Sequence, residues 1–363
     1  MLFPYTYVPH QMEKMQEFVE FTFFEIWCKA PIGQPFHPDL YAAKPDFKNL
    51  MSEFGFSSKS AERAKTFYKD IKEIYALFSG LPPQDIDKFK QWFSDNNDIE
   101  KICANDPAVN PVRYKDVIGG YPKLGGRLAD FYRGLYDQSL LGLAALKNII
   151  GELSDHYRQF FKQNLTGKCP FCGVSDLKGI NHTRRDAYDH YLPKCRYPFN
   201  SINFRNLVPA CHECNSSYKL SSDPVLKGGV RRKAFYPYST SKQPIEISAE
   251  LIFSTNTVPL NISLSFGPTW LNVEIDSWKA VYGIEERYKA KLRSPDAQDW
   301  LEEFRILNRC YGVKAADHIV NMSEREQFAN SNFLKTAYLK GCQVNGVLAS
   351  IEDAARLLGG QRS

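Results

Sequence analysis

Apolar residues in the first part of the chain recur at intervals of three and four, which is the spacing of one face of an α-helix. Residues 11–29 are apolar and aromatic and contain neither Gly nor Pro, and residues 60–77 carry apolar side chains at helical spacing. The prolines in residues 81–83 end that second predicted helix, and the next helix is predicted over residues 84–93. This pattern predicts a mainly helical N-terminal region over residues 1–165.

The most regular apolar pattern runs from Ser139 to about Asn164. Its apolar residues form a continuous stripe, so one long helix is predicted. We interpret the stripe as a face of the internal core, with a partner-binding seam as the alternative. Just before it, the glycine-rich residues 119–126 lack the Lys-Ser/Thr ending of a phosphate-binding loop and are interpreted as a turn. The stripe consists of Leu143, Leu146, Ile150, Leu153, Tyr157 and Phe160.

Alternation of apolar and polar residues replaces the helical spacing in residues 245–276 and predicts β-strands there. Asn256 and the Gly267-Pro268 pair are the predicted turns. From Trp278 the spacing is helical again and continues to the glycines near residue 360. The C-terminal region is therefore predicted to hold strands followed by helices.

Length and composition fit a folded protein with more than one domain. The 363 residues are too many for one compact core, and contents of 43% hydrophobic and 14% aromatic residues are enough to form cores. No run of 18 apolar residues is present, and the N-terminus has no basic stretch ahead of an apolar one. Neither a transmembrane helix nor a signal peptide is expected. We expect a cytoplasmic protein without a membrane partner.

Nine cysteines are present, and four of them form two Cys-x-x-Cys pairs, Cys169 with Cys172 and Cys211 with Cys214. Four thiolates suit a closed tetrahedral Zn²⁺ site, and coincidental pairing of unligated cysteines is the alternative. The two pairs are separated by 38 residues, so a zinc ion would bracket a long insert. This cysteine usage fits a reduced cytosol. The other cysteines, Cys28, Cys103, Cys195, Cys310 and Cys342, show no pairing pattern.

The positive charge of the chain is concentrated around these pairs. The whole chain has a net charge of +5, but residues 160–240 contain 13 Lys/Arg against 5 Asp/Glu, a net charge of +8, which leaves −3 for the rest. A basic segment on a near-neutral protein is typical of nucleic-acid binding. A solvated basic surface is the alternative that charge alone leaves open.

Two short motifs lie within the insert and at its end. The first is Tyr188-Asp189-His190-Tyr191-Leu192-Pro193, and the second is Asn206-Leu207-Val208-Pro209-Ala210, followed directly by Cys211-His212-Glu213-Cys214-Asn215. An Asp-His-x-x-Pro motif, then Asn-Leu-Val ahead of Cys-x-x-Cys-Asn, resembles the HNH (ββα-metal) nuclease family in its zinc-stapled variant. The resemblance covers residues 169–219, roughly a seventh of the chain. It rests on the order of the set and not on any single piece.

The resemblance implies a role for four of these residues. His190 would be the general base, because an imidazole with an ordinary pKa of about 6.5 can deprotonate water near neutral pH. Asp189 and Asn215 would supply oxygen ligands to a catalytic Mg²⁺ or Mn²⁺, and Asn206 would brace the loop that bears His190. Neighbouring strand residues face opposite sides, so Asp189 and His190 can share a site only where the strand ends or twists. Pro193 fits such a break.

Basic residues around the motifs are candidates for nucleic-acid contacts. Lys219 could contact phosphate, although it departs by one residue from the commonest family spacing, and a surface lysine on a short helix is the alternative. His182 and His212 are assigned surface or packing roles because four cysteines already fill a zinc site, and Cys195 is assigned no catalytic role. The candidate nucleic-acid-binding residues are Arg184, Arg185, Lys219, Arg231, Arg232 and Lys233.

These observations together predict an α+β protein. A helical region over residues 1–165 and a strand-plus-helix region over residues 241–363 would flank a zinc-stapled ββα-metal core with its basic tract over residues 166–240. The predicted function is metal-dependent endonuclease cleavage of nucleic acid, with DNA as the expected substrate. A zinc-containing nucleic-acid-binding module or assembly subunit without catalysis is the alternative, but it does not explain the ordered motif residues.

A weaker resemblance concerns segments beside and outside the core. Residues 191–198, 235–238 and 278–288 are similar to stretches of bacterial HNH proteins from mobile elements and phage defence, with Septu-type nuclease subunits as the comparison. This implies an anti-phage role in which an ATPase, another partner or a second copy of the chain gates the nuclease. Aromatic residues serve both cores and interface hot spots. Those considered for docking are Phe18, Phe21, Phe23, Phe24, Trp27, Trp278, Trp300, Phe304 and Tyr311.

Overall fold

The structure is a computed structural model that describes residues 1–253, 259–311 and 321–344. The chain folds as helices and small two-stranded sheets, which agrees with the predicted mixed class. It forms two compact units, and each unit gathers segments that are far apart in the sequence. The predicted division into three regions follows sequence order and stays a prediction. The helical unit consists of Tyr5–Gly167 and Lys178–Thr240, and the C-terminal unit consists of Met1–Pro4, Lys168–Leu177 and the described residues from Ser241 onward.

The first helix of the helical unit carries the aromatic residues of the N-terminal stretch. Helix α1 spans Glu13–Phe21 and continues as a π-helix over Thr22–Trp27. Its aromatic side chains belong to the hydrophobic core, so the wide apolar face serves the interior of the unit and is not an open docking surface. Phe18, Phe23 and Trp27 are buried, and Phe21 and Phe24 are partly buried against the same core.

The helices predicted over residues 60–77 and 84–93 are both present. The second of them is longer than predicted at both ends and begins on a proline, a residue that is favoured at the first helical position. Both helices bury an apolar face in the common core. The helices that follow the first are α2 (Pro45–Phe56), α3 (Glu62–Phe78), α4 (Pro83–Asn97) and α5 (Ile99–Cys103).

The glycine-rich residues 119–126 are helical except for Tyr121, so the predicted turn is limited to this one residue between two helices. Helix α6 spans Tyr114–Gly120, and helix α7 spans Pro122–Leu135. A Cβ atom at Gly125 would lie 2.9 Å from the backbone of Ile118, closer than side chains tolerate. The glycine therefore allows two helices to pack closely, and it does not mark a loop.

The apolar stripe of residues 139–164 lies on three helices, so the prediction of one long helix is wrong. Helix α8 spans Gln138–Leu141, helix α9 spans Ala144–Ile150 and helix α10 spans Leu153–Gln163. Gly151, between the last two, has a φ of +76°, a conformation that favours glycine and interrupts a helix. All but one of the stripe residues are buried. The stripe is therefore a core face, as interpreted.

A small hairpin carries the first motif and the start of the second. Strand β1 (Tyr188–His190) pairs antiparallel with strand β2 (Leu207–Pro209). A π-helix over Glu213–Lys219 follows and contains the last cysteine of the second pair. The motifs therefore fall on a strand, a second strand and a helix, in that order. A further two-stranded pair consists of β3 (Leu226–Lys227) and β4 (Val230–Arg231).

The C-terminal unit contains strands within residues 245–276, as predicted. Strand β5 (Glu246–Phe253) pairs antiparallel with strand β6 (Pro259–Gly267). The predicted turn at Asn256 lies outside the described residues. Helices follow these strands and begin before Trp278. They are α11 (Asn272–Tyr282), α12 (Ile284–Lys291), α13 (Pro295–Tyr311) and α14 (Asn332–Val344).

Three aromatic residues considered for docking are interior residues in this structure. Trp278, Trp300 and Phe304 are buried. The side chain of Tyr311 and the predicted helical spacing up to residue 360 lie outside the described residues. Within the described part of the chain, no helix combines the length and the apolar character that crossing a membrane requires.

Candidate metal centre and active site

The four cysteines of the two Cys-x-x-Cys pairs form one cluster. The sulfur atoms of Cys169, Cys172, Cys211 and Cys214 all lie within 4.8 Å of one another, and all four residues are buried. Sulfurs around a tetrahedral zinc ion, with Zn–S bonds of about 2.3 Å, lie about 3.8 Å apart. The cluster could therefore hold one Zn²⁺.

The first pair sits on a tight turn whose conformation at Gly173 favours glycine. The Gly173 N–H donates to the Cys169 carbonyl oxygen at 2.7 Å, and Gly173 has a φ of +67°. A Cβ atom there would come within 2.2 Å of Leu2. Two side chains from later helices of the same unit donate to the backbone of this turn. The indole N–H of Trp278 donates to the Phe171 carbonyl at 2.6 Å, and the Tyr288 hydroxyl donates to the Cys172 carbonyl at 2.8 Å.

The second pair sits at the start of the π-helix. The Cys214 N–H donates to the Cys211 sulfur at 3.4 Å, and the Asn215 N–H donates to the Cys211 carbonyl at 3.0 Å. An N–H group that points at a cysteine sulfur stabilises the thiolate form. The turn thus prepares Cys211 for a metal and fixes where the helix begins.

Replacing Cys211 with serine is expected to lower the zinc content and the thermal midpoint together, because structural zinc contributes its binding energy to folding. Zinc would be measured by elemental analysis of the purified full chain and stability by thermal denaturation. Cys195→Ser is the matched control, because Cys195 is exposed and outside the cluster. A wild-type protein that contains no zinc, or a Cys211→Ser variant as stable as the control, would contradict the expectation.

A buried ion pair joins the π-helix to the first motif. The Lys219 ammonium lies 2.9 Å from Oδ1 of Asp189, and it also donates to the His190 carbonyl oxygen at 2.8 Å. Asp189 and Lys219 are 2% and 0% exposed, respectively. Burial raises the pKa of Asp189, and the Lys219 ammonium opposes that effect. The second carboxylate oxygen, Oδ2, is buried and has no hydrogen-bond partner among the described residues.

The position of Lys219 differs from both interpretations offered for it, a phosphate contact and a surface lysine. A surface lysine is excluded because its side chain is fully buried. Contact with phosphate is not available in this structure either, because the ammonium is occupied by Asp189 and by a backbone carbonyl. Lys219 instead neutralises Asp189 and ties the helix to the end of β1.

His190 is held by the long loop between β1 and β2. Its Nε2 lies 2.9 Å from the carbonyl oxygen of Ser201, so Nε2 carries the proton and Nδ1 keeps its lone pair. The imidazole is half-buried and meets the ring of Tyr136 edge to face, with centroids 4.9 Å apart. Burial lowers the pKa of His190 to about 3, and the nearby Lys194 ammonium acts in the same direction. The imidazole is therefore neutral near neutral pH, and its pKa lies well below the ordinary value of about 6.5 from which the base role was predicted.

Asn206 closes the turn that follows His190. Its Nδ2 donates to the Leu192 carbonyl at 3.0 Å, and its Oδ1 accepts from the Leu192 N–H at 2.7 Å. The side chain is completely buried. A buried amide with both ends paired to the same residue fixes that residue's backbone. Asn206 thus braces the chain two residues after His190.

The predicted site residues lie on β1, directly before β2 and on the π-helix, and their side chains have different partners. Asp189 contacts Lys219, whereas the His190 ring contacts Ser201 and Tyr136. Asn215 is half-buried and precedes Lys219 by four positions on the π-helix. Among the described residues, no hydrogen bond joins the Asn215 amide to either member of the Asp-His pair.

The candidate nucleic-acid-binding residues differ in how accessible they are. Arg184 and Lys233 are exposed. The other arginines are anchored on backbone carbonyls: Arg231 donates to Val109 at 2.6 Å. Arg232 donates to Pro224 at 3.1 Å, and Arg185 donates to Asp186 at 2.9 Å. These anchored guanidinium groups add positive charge to the surface, but some of their N–H donors are already bound to the protein backbone.

Three residues around His190 were not predicted as site residues. Ser201 contributes only its backbone carbonyl, and Tyr136 comes from the segment after α7, so no local motif marks either of them. Lys194 directly follows the Asp-His-x-x-Pro motif, and its basic side chain was an available signal. Its ammonium lies 5.7 Å from the centre of the Tyr136 ring.

The chain is similar to protein ea31 of Escherichia phage lambda, with 27% identity over 165 residues that cover 44% of this chain and 45% of that protein. The chain therefore spans less than half the length of this relative. No family model matches the chain, and no solved structure matches it. The name of the relative states no activity.

Proposed function

We propose that the chain is a metal-dependent endonuclease of the HNH (ββα-metal) class that hydrolyses phosphodiester bonds of nucleic acid, with DNA as the substrate. The observation that supports this most directly is the state of His190 at the end of β1. Its Nε2–H is bound to the Ser201 carbonyl, which leaves Nδ1 free to accept a proton. Asp189, whose buried Oδ2 has no hydrogen-bond partner in the described part of the chain, is the neighbouring residue.

The residues present fit a hard divalent cation. A buried carboxylate oxygen without a partner is costly, and a cation would satisfy it. Asp189 Oδ2 is such an oxygen, and the amide oxygen of Asn215 is the second proposed ligand. Mg²⁺ and Mn²⁺ prefer oxygen ligands of this kind. When bound, the ion would stabilise negative charge on the phosphate and on the leaving oxygen.

His190 would act on the attacking water. Nδ1 of the neutral imidazole accepts the proton while the water oxygen forms its bond to phosphorus and the bond from phosphorus to the leaving oxygen breaks. Hydrogen bonding of Nε2 to Ser201 holds the ring in the tautomer that this step needs. Asn206 keeps the backbone beside the ring in place.

A second candidate function is supported by the Lys219–Asp189 ion pair. An ammonium group already neutralises the carboxylate that a catalytic metal would need. The alternative is a zinc-containing nucleic-acid-binding module or assembly subunit without catalysis.

One assay separates the two candidates. The purified chain would be incubated with plasmid, linear DNA and RNA, with Mg²⁺, with Mn²⁺ and with a chelator. Cleavage that requires the divalent ion, and that is weakened or lost in Asn215→Ala and Asp189→Ala variants, supports the nuclease. Binding without cleavage under all conditions supports the second candidate.

The exposed basic residues make a prediction about binding. Affinity for duplex DNA is expected to fall steeply with salt, because lysines and arginines at phosphates release counterions. Replacing Arg184 and Lys233 together with alanine should make the plot of log affinity against log salt concentration less steep. The slope should fall in magnitude by about two, or about one per phosphate contact. Lys44→Ala with Lys59→Ala is the control, since both lysines are exposed and lie outside the basic segment of residues 160–240. Equal slopes for the two double variants would argue against that segment as the binding surface.

We also propose that the nuclease is gated as the effector of a bacterial anti-phage system, by an ATPase, by another encoded partner or by a second copy of the chain. A cytosolic nuclease with little selectivity endangers its host, and most of the chain lies outside the motif segment of residues 169–219. Co-purification with neighbouring encoded proteins, followed by light scattering, tests this. A monomer that binds none of them and cuts DNA constitutively would remove the gating and leave the nuclease standing.

A further inference from the structure

The loop that supplies the partner of His190 is tied to helix α4. The loop segment of residues 198–203 contains Ser201, whose carbonyl accepts from His190. The end of α4 is about a hundred positions earlier in the sequence. Four side-chain amides cross this gap. Asn96 donates to Pro198 O at 2.9 Å, Asn97 to Phe199 O at 3.4 Å, Asn200 to Asn96 O at 3.0 Å and Asn203 to Asn97 Oδ1 at 3.0 Å.

Asn96 is the best-satisfied of these side chains. Its Nδ2 donates to the carbonyls of Val112 and Pro198, both at 2.9 Å, and its Oδ1 accepts from the Val112 N–H at 2.8 Å. It is completely buried. A buried amide with all these groups paired has one orientation, and a fully satisfied polar network specifies one arrangement of the segments that it joins. The loop therefore has a fixed position relative to α4.

The same network continues past the loop to the far side of His190. Asn200, directly before Ser201, offers its carbonyl to Nδ2 of Asn206 at 3.4 Å. Asn206 holds Leu192, two residues after His190, through the two bonds described above. A line of amides thus runs from α4 through Asn200 and Asn206 to Leu192, two residues after His190.

The loop backbone needs this support. Phe199 has a φ of +76°, a left-handed conformation that is unfavourable for a side chain of its size. Such a conformation persists only where the surroundings fix it. Phe199 is completely buried against Phe93 and Tyr132, and the Ser201 hydroxyl donates to the Tyr132 carbonyl at 2.5 Å. The position of the Ser201 carbonyl is therefore set by helices α4 and α7 and not by the loop alone.

We propose that Asn96 and Asn200 are positioning residues for His190, and that the hydrogen bonds between the last two residues of α4 and the Ser201 loop orient the general base. This inference rests on the proposed function. Neither residue touches the reacting atoms. When the hydrogen bonds between α4 and the Ser201 loop are lost, the Ser201 carbonyl no longer fixes the Nε2–H tautomer. Nδ1 then no longer presents its lone pair in a constant direction. The expected loss is in kcat and not in KM, because substrate binding does not depend on the tautomer.

The test compares two alanine substitutions, one in the Ser201 loop that packs on α4 and one on α4 itself. Asn200→Ala removes the loop amide that donates to the Asn96 carbonyl and pairs with the Asn206 amide, while the bonds from Asn96 and Asn97 to the loop remain. Asp95→Ala is the matched control. Asp95 is the buried neighbour of Asn96 on the same helix, and its carboxylate accepts from Gln91 at 2.7 Å and from Asn110 at 3.0 Å. Both substitutions therefore remove buried hydrogen bonds of α4, but only one acts on the loop of His190.

The first readout does not depend on activity. Nitrogen NMR of histidine-labelled full-length protein reports which imidazole nitrogen of His190 carries the proton. A single Nε2–H form is expected in the wild type and in Asp95→Ala, and a mixture of tautomers is expected in Asn200→Ala. The second readout is cleavage below the melting temperature of each variant. Asn200→Ala should lose about tenfold to a hundredfold in kcat with little change in KM, as expected for a displaced catalytic group.

Each outcome decides the inference. An unchanged tautomer and unchanged kcat in folded Asn200→Ala would overturn it, and so would equal losses in Asp95→Ala. If Asn200→Ala does not fold, Asn97→Ala takes its place. Asn97 is half-buried, its substitution removes the bond to the Phe199 carbonyl, and the same two readouts apply. A wild-type chain that cuts nothing overturns the proposed function instead, and the tautomer measurement then still decides whether α4 orients His190.

Discussion

Replacing His190 with alanine is expected to reduce DNA cleavage by at least about a hundredfold, because a positioned general base contributes about 10²–10⁴-fold to such reactions. The imidazole is neutral, and its Nε2–H is already bound to Ser201, so Nδ1 is the one ring atom able to take the proton from water. Initial rates with plasmid DNA and a saturating divalent ion would measure the loss. Zinc content and DNA affinity should stay at the wild-type level.

Two further variants separate lost chemistry from lost structure. His190→Gln can keep a side-chain donor for the Ser201 carbonyl but has no base, so it should be as inactive as His190→Ala. His182→Ala removes an exposed histidine whose ring lies 3.3 Å from the Gly179 carbonyl, and it should cut at the wild-type rate. Unchanged cutting by His190→Ala would mean that another residue is the base or that a contaminating nuclease is present.

The parts of the site that depend on neighbouring residues could be predicted from the sequence. A Cys-x-x-Cys turn is local, and Gly173 with its positive φ completes it within five residues. The strand at Tyr188–His190 and the helix after the second pair likewise fall on the motif segments. The brace at Asn206 was implied by the resemblance to the HNH family, although its hydrogen-bonding partner, Leu192, was not.

The parts that depend on distant contacts could not be predicted. Lys219 on a short helix has no sequence feature that distinguishes it from a surface lysine, and its buried pairing with Asp189 on β1 is a tertiary contact. The Ser201 carbonyl and the Tyr136 ring reach His190 through packing of the long loop and of the segment after α7. The ties from Asn96 and Asn200 cross about a hundred positions, and asparagine is common enough that its spacing carries no signal.

The structural roles of two glycines, Gly125 and Gly151, could not be predicted from the sequence. At Gly125 it permits two helices to approach, since a Cβ atom would meet the Ile118 backbone, and the sequence suggested a loop instead. At Gly151 it ends a helix through a positive φ, although the apolar stripe continues on both sides. Both outcomes depend on what packs against the glycine, and a pattern of apolar residues does not contain that information.

Replacing Lys219 with methionine is expected to destabilise the protein by about 3–5 kcal/mol, because removing one partner of a buried ion pair leaves the other charge uncompensated. Asp189 is 2% exposed, so water cannot replace the lost ammonium. Urea unfolding followed by circular dichroism, analysed at constant slope, would measure the change. The exposed pair of Lys29 and Glu25 is the control: Lys29→Met should change stability very little, as solvent already screens both charges.

A double variant tests whether the loss of stability in Lys219→Met comes from the buried Asp189 carboxylate that is left without its ammonium partner. Lys219→Met combined with Asp189→Leu removes both charges and fills the site with apolar atoms, so it should recover most of the stability that Lys219→Met loses. If the nuclease proposal holds, the recovered protein should still fail to cut DNA, because the proposed metal ligand is gone. Recovery of stability without activity would separate the structural task of Lys219 from the chemical task of Asp189. A Lys219→Met variant no less stable than Lys29→Met would show instead that this ion pair is not buried in solution, and the carboxylate would then be open to the metal without any displacement of lysine.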